Sequence, residues 1–503
     1  MKTCLTESTK ISRRSFLQAL GALTLSGSLA ACGGTGKTKS DRLAAGSLAY
    51  TPDEVVTVEF SDGGITVSPE DAAGLAVEET TLSVSGAGVY ALSGSCADGS
   101  VKVEAQTEDV VLLLDGLTLT SADTAPIVCG ESTGVTIAVV DGTENTLTDS
   151  EANDPDNAAD NENAEKAVVK CKDGSQVILC GGGALTVNAL GKNGIKSGTA
   201  VDDRDASLTI RELTLNIEAL VNDAINVEQR LKVESGNLTI AAGEDAIHCD
   251  MELNIGAEGT TGPAITVSTC CEGLEGAVLN IHSGNMDITS TDDCLNAANS
   301  DLGDYAFEMN ISGGTIKAYS SGGDGFDSNG TLTITGGDIS VWTASTADNQ
   351  PLDADGRITI SGGTVLAAGG SAGMGFSISA SQPYVTFGGG RDSSLSLAGG
   401  EAFSIADESG KSVLDSTALC DAAFLFYSSP ALTAEGRYSV QSTVTATAKT
   451  GEADTQFGGN GGPGGSSGQR PDGMTPPDGQ VPQGQLPQSD GTTPPELPAA
   501  SSN

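Results

Sequence analysis

Residues 223–248 open on Asp223-Ala224-Ile225-Asn226 and close on Asp245-Ala246-Ile247-His248, with the alternating run Leu238-Thr239-Ile240 between them. The same four-residue pattern recurs along the chain: an acidic or amide residue, a small one, an aliphatic or aromatic one, then a polar one. It precedes this stretch as Asn193-Gly194-Ile195-Lys196 and follows it as Glu272-Gly273-Leu274-Glu275, Asp293-Cys294-Leu295-Asn296, Asp324-Gly325-Phe326-Asp327 and Gln350-Pro351-Leu352-Asp353. The apolar anchors lie 30, 22, 27, 21, 31 and 26 residues apart. Between them stand short alternating runs closed by glycines, such as Leu332-Thr333-Ile334-Thr335-Gly336-Gly337 and Ile358-Thr359-Ile360-Ser361-Gly362-Gly363. A loose period built from short strands and turns, with no helical spacing, is the signature of a β solenoid. The expectation is an all-β chain folded as a parallel β-helix with β-rich caps.

Stacked coils have an electrostatic consequence. Strands of successive coils lie ~4.8 Å apart, so the first motif column places Asp223, Asp245, Glu272, Asp293 and Asp324 in a row. Neighbouring carboxylates at that spacing repel by roughly 3 kcal/mol at an effective dielectric of ~20, and by about 1 kcal/mol in bulk water. The fourth column adds Glu275, Asp327 and Asp353, and no Lys or Arg recurs beside them. A hard divalent cation with six to eight oxygen ligands is the natural neutraliser, and Ca2+ suits this ligand set. The plainer reading makes the Asp-Gly and Asp-Ala pairs turn chemistry on a solvated edge.

The bulk numbers narrow the function classes. The chain has 503 residues, 4% aromatics, 67 glycines and a net charge of −43. Phosphate backbones are met by Lys and Arg, so no nucleic acid is expected as a partner. Acidic polysaccharide is equally repelled unless a cation bridges the two. Two histidines cannot build a three-His zinc site, and no Ser/His/Asp grouping or phosphate loop is present.

Residues 1–31 read as an export signal. Ser12-Arg13-Arg14-Ser15-Phe16-Leu17 has the twin-arginine form, and an apolar run leads to Leu29-Ala30-Ala31-Cys32-Gly33, a lipobox-like string. Cys32 is then the lipidated residue, and the expected location is the outer face of the cell membrane, held by several acyl chains. Residues 32–50 read as a tether, 51–379 as the solenoid, 380–447 as a compact β cap around Phe424-Leu425-Phe426-Tyr427, and 448–503 as a disordered Gly/Pro-rich tail. The acidic insert between Asp149 and Glu165 is poor in apolar residues and reads as disordered, the alternative being a loop that reaches over to supply cation ligands. The cysteines match neither a zinc nor a thioredoxin spacing, and Cys294, in the small-residue column, reads as core filler.

The stretch from Val55 to Ser439 resembles a bacterial family named for its carbohydrate-binding domain. The likeness is carried by Asp141-Gly142-Thr143-Glu144-Asn145-Thr146-Leu147-Thr148-Asp149, by Cys271-Glu272-Gly273-Leu274-Glu275-Gly276 and by Ser290 to Asn299. Cys294 and Gln350-Pro351 depart from the family pattern. The resemblance implies a calcium-containing, right-handed parallel β-helix similar to pectate lyases, and noncatalytic binding of plant cell-wall polysaccharide, pectin-like or cellulosic. Asp292 and Asn296 join the candidate Ca2+ ligands. For sugar stacking, Trp342, Tyr319 and Tyr305 are the available platforms, with partial burial on the solenoid wall the plainer reading of Trp342. Two other classes stay open: a structural surface protein or adhesin, and a calcium-dependent polysaccharide lyase, which needs a Lys or Arg base beside the ion. Lys170, Lys192 and Lys196 are among the few cations in the coils.

Overall fold

The computed structural model describes residues 43–300, 302, 305–344, 349–370, 377–389 and 395–454. The expected signal segment, Cys32 and the stretch from 455 onward lie outside these residues. Among the described residues the protein is all-β. Its helices are two three-residue 3-10 turns, Pro52–Glu54 and Glu151–Asn153, and 34 strands share one sheet.

Three parallel ladders make up most of that sheet. In the first, the motif anchors pair in an unbroken column: Ile195 with Ile225, then Ile247, Leu274, Leu295, Phe326 and finally Leu352. The column continues towards the N-terminus through Val169, Ile127, Val101 and Leu82, where no motif announces it. The second ladder aligns Leu208, Leu231, Leu253, Leu279, Met309, Leu332 and Ile358. The third aligns Leu215, Leu238, Ile265, Met286, Ile316, Ile339 and Val365, none more than 1% exposed.

Alternation explains why these segments are strands. Along Thr214–Ala219, Leu215, Ile217 and Ala219 are buried while Thr214, Asn216 and Glu218 are half-exposed, the period of two that a half-buried strand requires. Each Leu or Ile buried this way contributes about 1.5–3 kcal/mol, and repetition over many rungs gives one continuous core. The small column is set by close approach. A Cβ on Gly273 would run into the carbonyl of Cys294, and one on Gly325 into that of Pro351. Cys294 is fully buried, as a filler should be.

At the C-terminal end, Phe424–Ser428 pairs antiparallel with both Thr364–Gly369 and Ser377–Gly388 and so ends the third ladder. Ala402–Asp407, Ser412–Thr417, Arg437–Val440 and Val444–Thr447 form a separate four-stranded antiparallel sheet. A second apolar cluster, including Trp342, Phe387, Phe403, Leu425 and Tyr427, lies against it.

Three segments differ from the sequence reading. Residues 43–50, read as tether, form the hairpin Leu43–Ala45/Leu48–Tyr50 around Gly46-Ser47, with Gly46 at φ +60°. Its apolar residues pack on Ala91, Leu113, Ala138 and Cys180. The acidic insert is folded: buried Asp149 accepts from the N–H groups of Leu190 and Gly191, and buried Asn153 donates to Asp149 and to the Ala167 carbonyl. These polar side chains replace the apolar contacts whose scarcity suggested disorder. Lys449–Asp454, read as tail, pairs antiparallel with Ser377–Gly388.

Candidate functional site

The first ladder's register sets the motif's polar groups in two rows beside the anchors. In the acidic row, Asp223, Asp245, Asp293 and Asp324 each accept a hydrogen bond from the backbone one rung on. Asp223 accepts from the N–H of Asp245 at 3.1 Å, and Asp245 from that of Glu272 at 3.3 Å. Further along, Asp293 accepts from the N–H of Asp324 at 2.6 Å, and Asp324 from that of Gln350. One oxygen of each of these four carboxylates thus holds the rungs together, and the second remains for another partner.

Those second oxygens divide the row. In its N-terminal half they meet protein donors. Asp223 accepts from Asn226 Nδ2 at 2.6 Å, Glu272 from Asn296 Nδ2 at 2.8 Å, and Asp245 lies 3.1 Å from His248 Nδ1. His248 also places Nδ1 2.6 Å from Glu275 and Nε2 2.8 Å from Asp250. Burial alone would lower the imidazole pKa, but hydrogen bonds to Asp245, Asp250 and Glu275 outweigh it and raise the value. In the C-terminal half, Asp293, Asp324, Asp327 and Asp353 form none of the ion pairs found among the described residues. One oxygen from each of Asp324, Asp327 and Asp353 falls within a 4.8 Å cluster.

The electrostatics follow from that crowding. Burial, then the Asp327 charge, pushes Asp293 up to about 8. Burial raises Asp324 to about 7 and Asp327 to about 6, with Asp353 the leading charge acting on each. Glu272 rises to about 9 through burial and Glu275, and Asp245 to about 7, chiefly through burial. The amide neighbours carry an independent sign. Asn296 Oδ1 and Gln350 Oε1 are buried with no hydrogen-bond partner, a state that costs about 1–3 kcal/mol per group. Hard oxygen donors, some anionic and some orphaned, fit Ca2+.

The structure therefore brings the expected ligands Asp223, Asp245, Glu272, Glu275, Asp293, Asn296, Asp324 and Asp327 onto one ladder, with Asp292 next to Asp293. It gives Asp223 an amide partner, so that rung is already satisfied. Gln350 and Asp353 belong with Asp324 and Asp327, although Gln350-Pro351 departs from the family pattern. Asp250 was not legible as a site residue. A register shift between Cys249 and Glu252 breaks the strand's alternation beside it.

The aromatic expectation needs correction. Trp342 is fully buried, its Nε1 donating to Ser340 Oγ at 2.9 Å and its ring edge-on to Phe403 at 6.1 Å. It belongs to the second apolar cluster and offers no face to a sugar. Tyr319, its partner in register, is half-buried against the same cluster. Tyr305 is 37% exposed.

The family model for carbohydrate-binding domain-containing proteins matches residues 78–373, which include the whole ladder. A carbohydrate-binding domain-containing protein from Acetivibrio thermocellus is 29% identical over 184 residues, 36% of this chain, and the chain spans 60% of that relative's length. A solved structure described as a polysaccharide lyase-like protein from C. thermocellum, in a gadolinium derivative, is 23% identical. The similarity covers 60% of this chain and 95% of that one, at a TM-score of 0.33.

Proposed function

The chain belongs to the family of carbohydrate-binding domain-containing proteins, and on that premise we propose that it binds polysaccharide noncatalytically through a calcium-stabilised ladder. The three parallel ladders are read as a right-handed parallel β-helix, the hand that parallel crossovers favour, with 380–447 as its cap. Asp293, Asn296, Asp324, Asp327, Gln350 and Asp353 are the residues that would hold Ca2+. When bound, the ion supplies positive charge where the protein has carboxylates and orphaned amide oxygens. The preferred ligand is a pectin-like polyuronate whose carboxylates share the ion with the ladder; a cellulosic glucan is the neutral alternative. Export and lipidation at Cys32 would place this domain on the outer face of the membrane.

The observation that carries the reading is the pair of unpartnered buried oxygens, Asn296 Oδ1 and Gln350 Oε1, beside carboxylates with no protein cation. Solvated turn chemistry would leave neither. The enzyme alternative, a calcium-assisted polyuronate lyase, would need a base beside the ion, and Lys170 stands five rungs away from Asn296 on the ladder. Burial, then the charge of Lys196 on the next rung, holds the Lys170 ammonium below the usual lysine value, as a proton-abstracting base requires.

A polysaccharide-array pull-down with and without EDTA, with ultraviolet detection of unsaturated uronides, separates the classes. Retention without product supports the binding module. Product formation establishes the lyase. Retention of no glycan in either condition leaves the structural or adhesive role and overturns the proposal.

A further inference from the structure

One rung of the ladder differs in kind from the rest. At Asp245–His248–Glu275 the polar column carries an imidazole where the adjacent rungs carry Asn226 and Glu275. One ligand atom from each of the three residues falls within a 4.8 Å cluster. His248 Nδ1 faces two carboxylates at once, Asp245 Oδ2 at 3.1 Å and Glu275 Oε2 at 2.6 Å. A nitrogen carries one proton at most, so a single N–H is shared by two acceptors whose side chains are only 15% and 13% exposed. On the far side of the ring, Nε2 lies 2.8 Å from Asp250 Oδ1. A carboxylate accepting from one ring nitrogen fixes the tautomer and turns the other nitrogen's lone pair inwards, the outer-shell arrangement of metal-bound histidines.

We propose that Asp245, His248 and Glu275 form a second, chemically distinct metal site that takes a zinc-class divalent ion, with Asp250 as the positioning residue for His248. Imidazole plus carboxylate suits Zn2+ and its transition-metal neighbours, whereas the oxygen-only set at Asp324, Asp327 and Asp353 suits Ca2+. The ion takes the place of the shared proton and satisfies both carboxylates. Three protein ligands leave a coordination position for water or a ligand oxygen. The inference goes beyond the calcium reading and does not depend on it.

The test titrates Co2+ and Zn2+ into metal-stripped full-length protein resupplied with saturating Ca2+, following heat and the visible cobalt spectrum. One equivalent bound in the presence of Ca2+ is expected. His248→Gln should weaken it at least tenfold, Asp250→Asn by a smaller factor, and Asp324→Asn should leave it unchanged. Melting curves of the variants in Ca2+ establish that each is folded. No Co2+ or Zn2+ binding, binding unaltered in folded His248→Gln, competition by Ca2+ at equal concentration, or a thiolate-to-cobalt charge-transfer band would each overturn the assignment.

Discussion

Individual side chains decide most of what this protein can touch. Trp342 is a core residue, so Trp342→Ala should destabilise the fold by about 3–5 kcal/mol, the range for an emptied tryptophan site. Denaturant unfolding measures that loss, and glycan retention by the remaining folded protein should be unchanged. A variant of wild-type stability that no longer binds sugar would return Trp342 to the ligand face. The sequence offered partial burial on the solenoid wall or a sugar platform; the full burial was not legible, because the covering residues, Phe403 and Tyr427 among them, lie 61 and 85 positions downstream. The carboxylates were legible for the opposite reason: each sits beside an apolar anchor whose register is fixed by burial. His248 was read as an ordinary member of its column. Its bond to Asp250 depends on an irregularity in one strand, which carries no compositional mark.

At the scale of the ladder, the account concerns how successive rungs tolerate one another. Removing Ca2+ with EDTA should lower the melting temperature, and the double substitution Asp292→Asn with Asp293→Asn should reproduce much of that drop. An unchanged melt in EDTA, for protein shown to be free of metal, would remove the cation from the account. The pH dependence has a definite sign. Asp293, Asp324 and Asp327 titrate near 8, 7 and 6 in the metal-free fold, above the ordinary Asp value of about 3.9. The folded state therefore binds more protons than the unfolded one between those limits, and stability falls as pH rises. In EDTA, melting temperatures should decline from about pH 4 to about pH 8. Saturating Ca2+ should abolish most of that slope, because the ion stabilises the ionised carboxylates. A flat metal-free profile contradicts the crowding. The motif revealed seven rungs but not the four before them, since Leu82, Val101, Ile127 and Val169 are followed by Ser83, Lys102, Val128 and Lys170 in place of acids.

The whole molecule carries a net charge of −43, and this bears on any anionic ligand. The repeat of short alternating strands was enough to place the chain among all-β folds. The folded insert from Asp149 to Glu165 was not legible, because its order rests on Asp149 and Asn153 hydrogen bonds to distant backbone groups. A surface this acidic repels polyuronate, so binding requires a cation that both sides share, and such charge pairs are screened by salt. The decisive measurement is polygalacturonate binding to the metal-free protein as Ca2+ is titrated, repeated at high salt and with methyl-esterified polymer. Binding should be absent without Ca2+, appear as it is added, and weaken both with salt and with esterification. Binding that survives EDTA and high salt together would contradict the bridge.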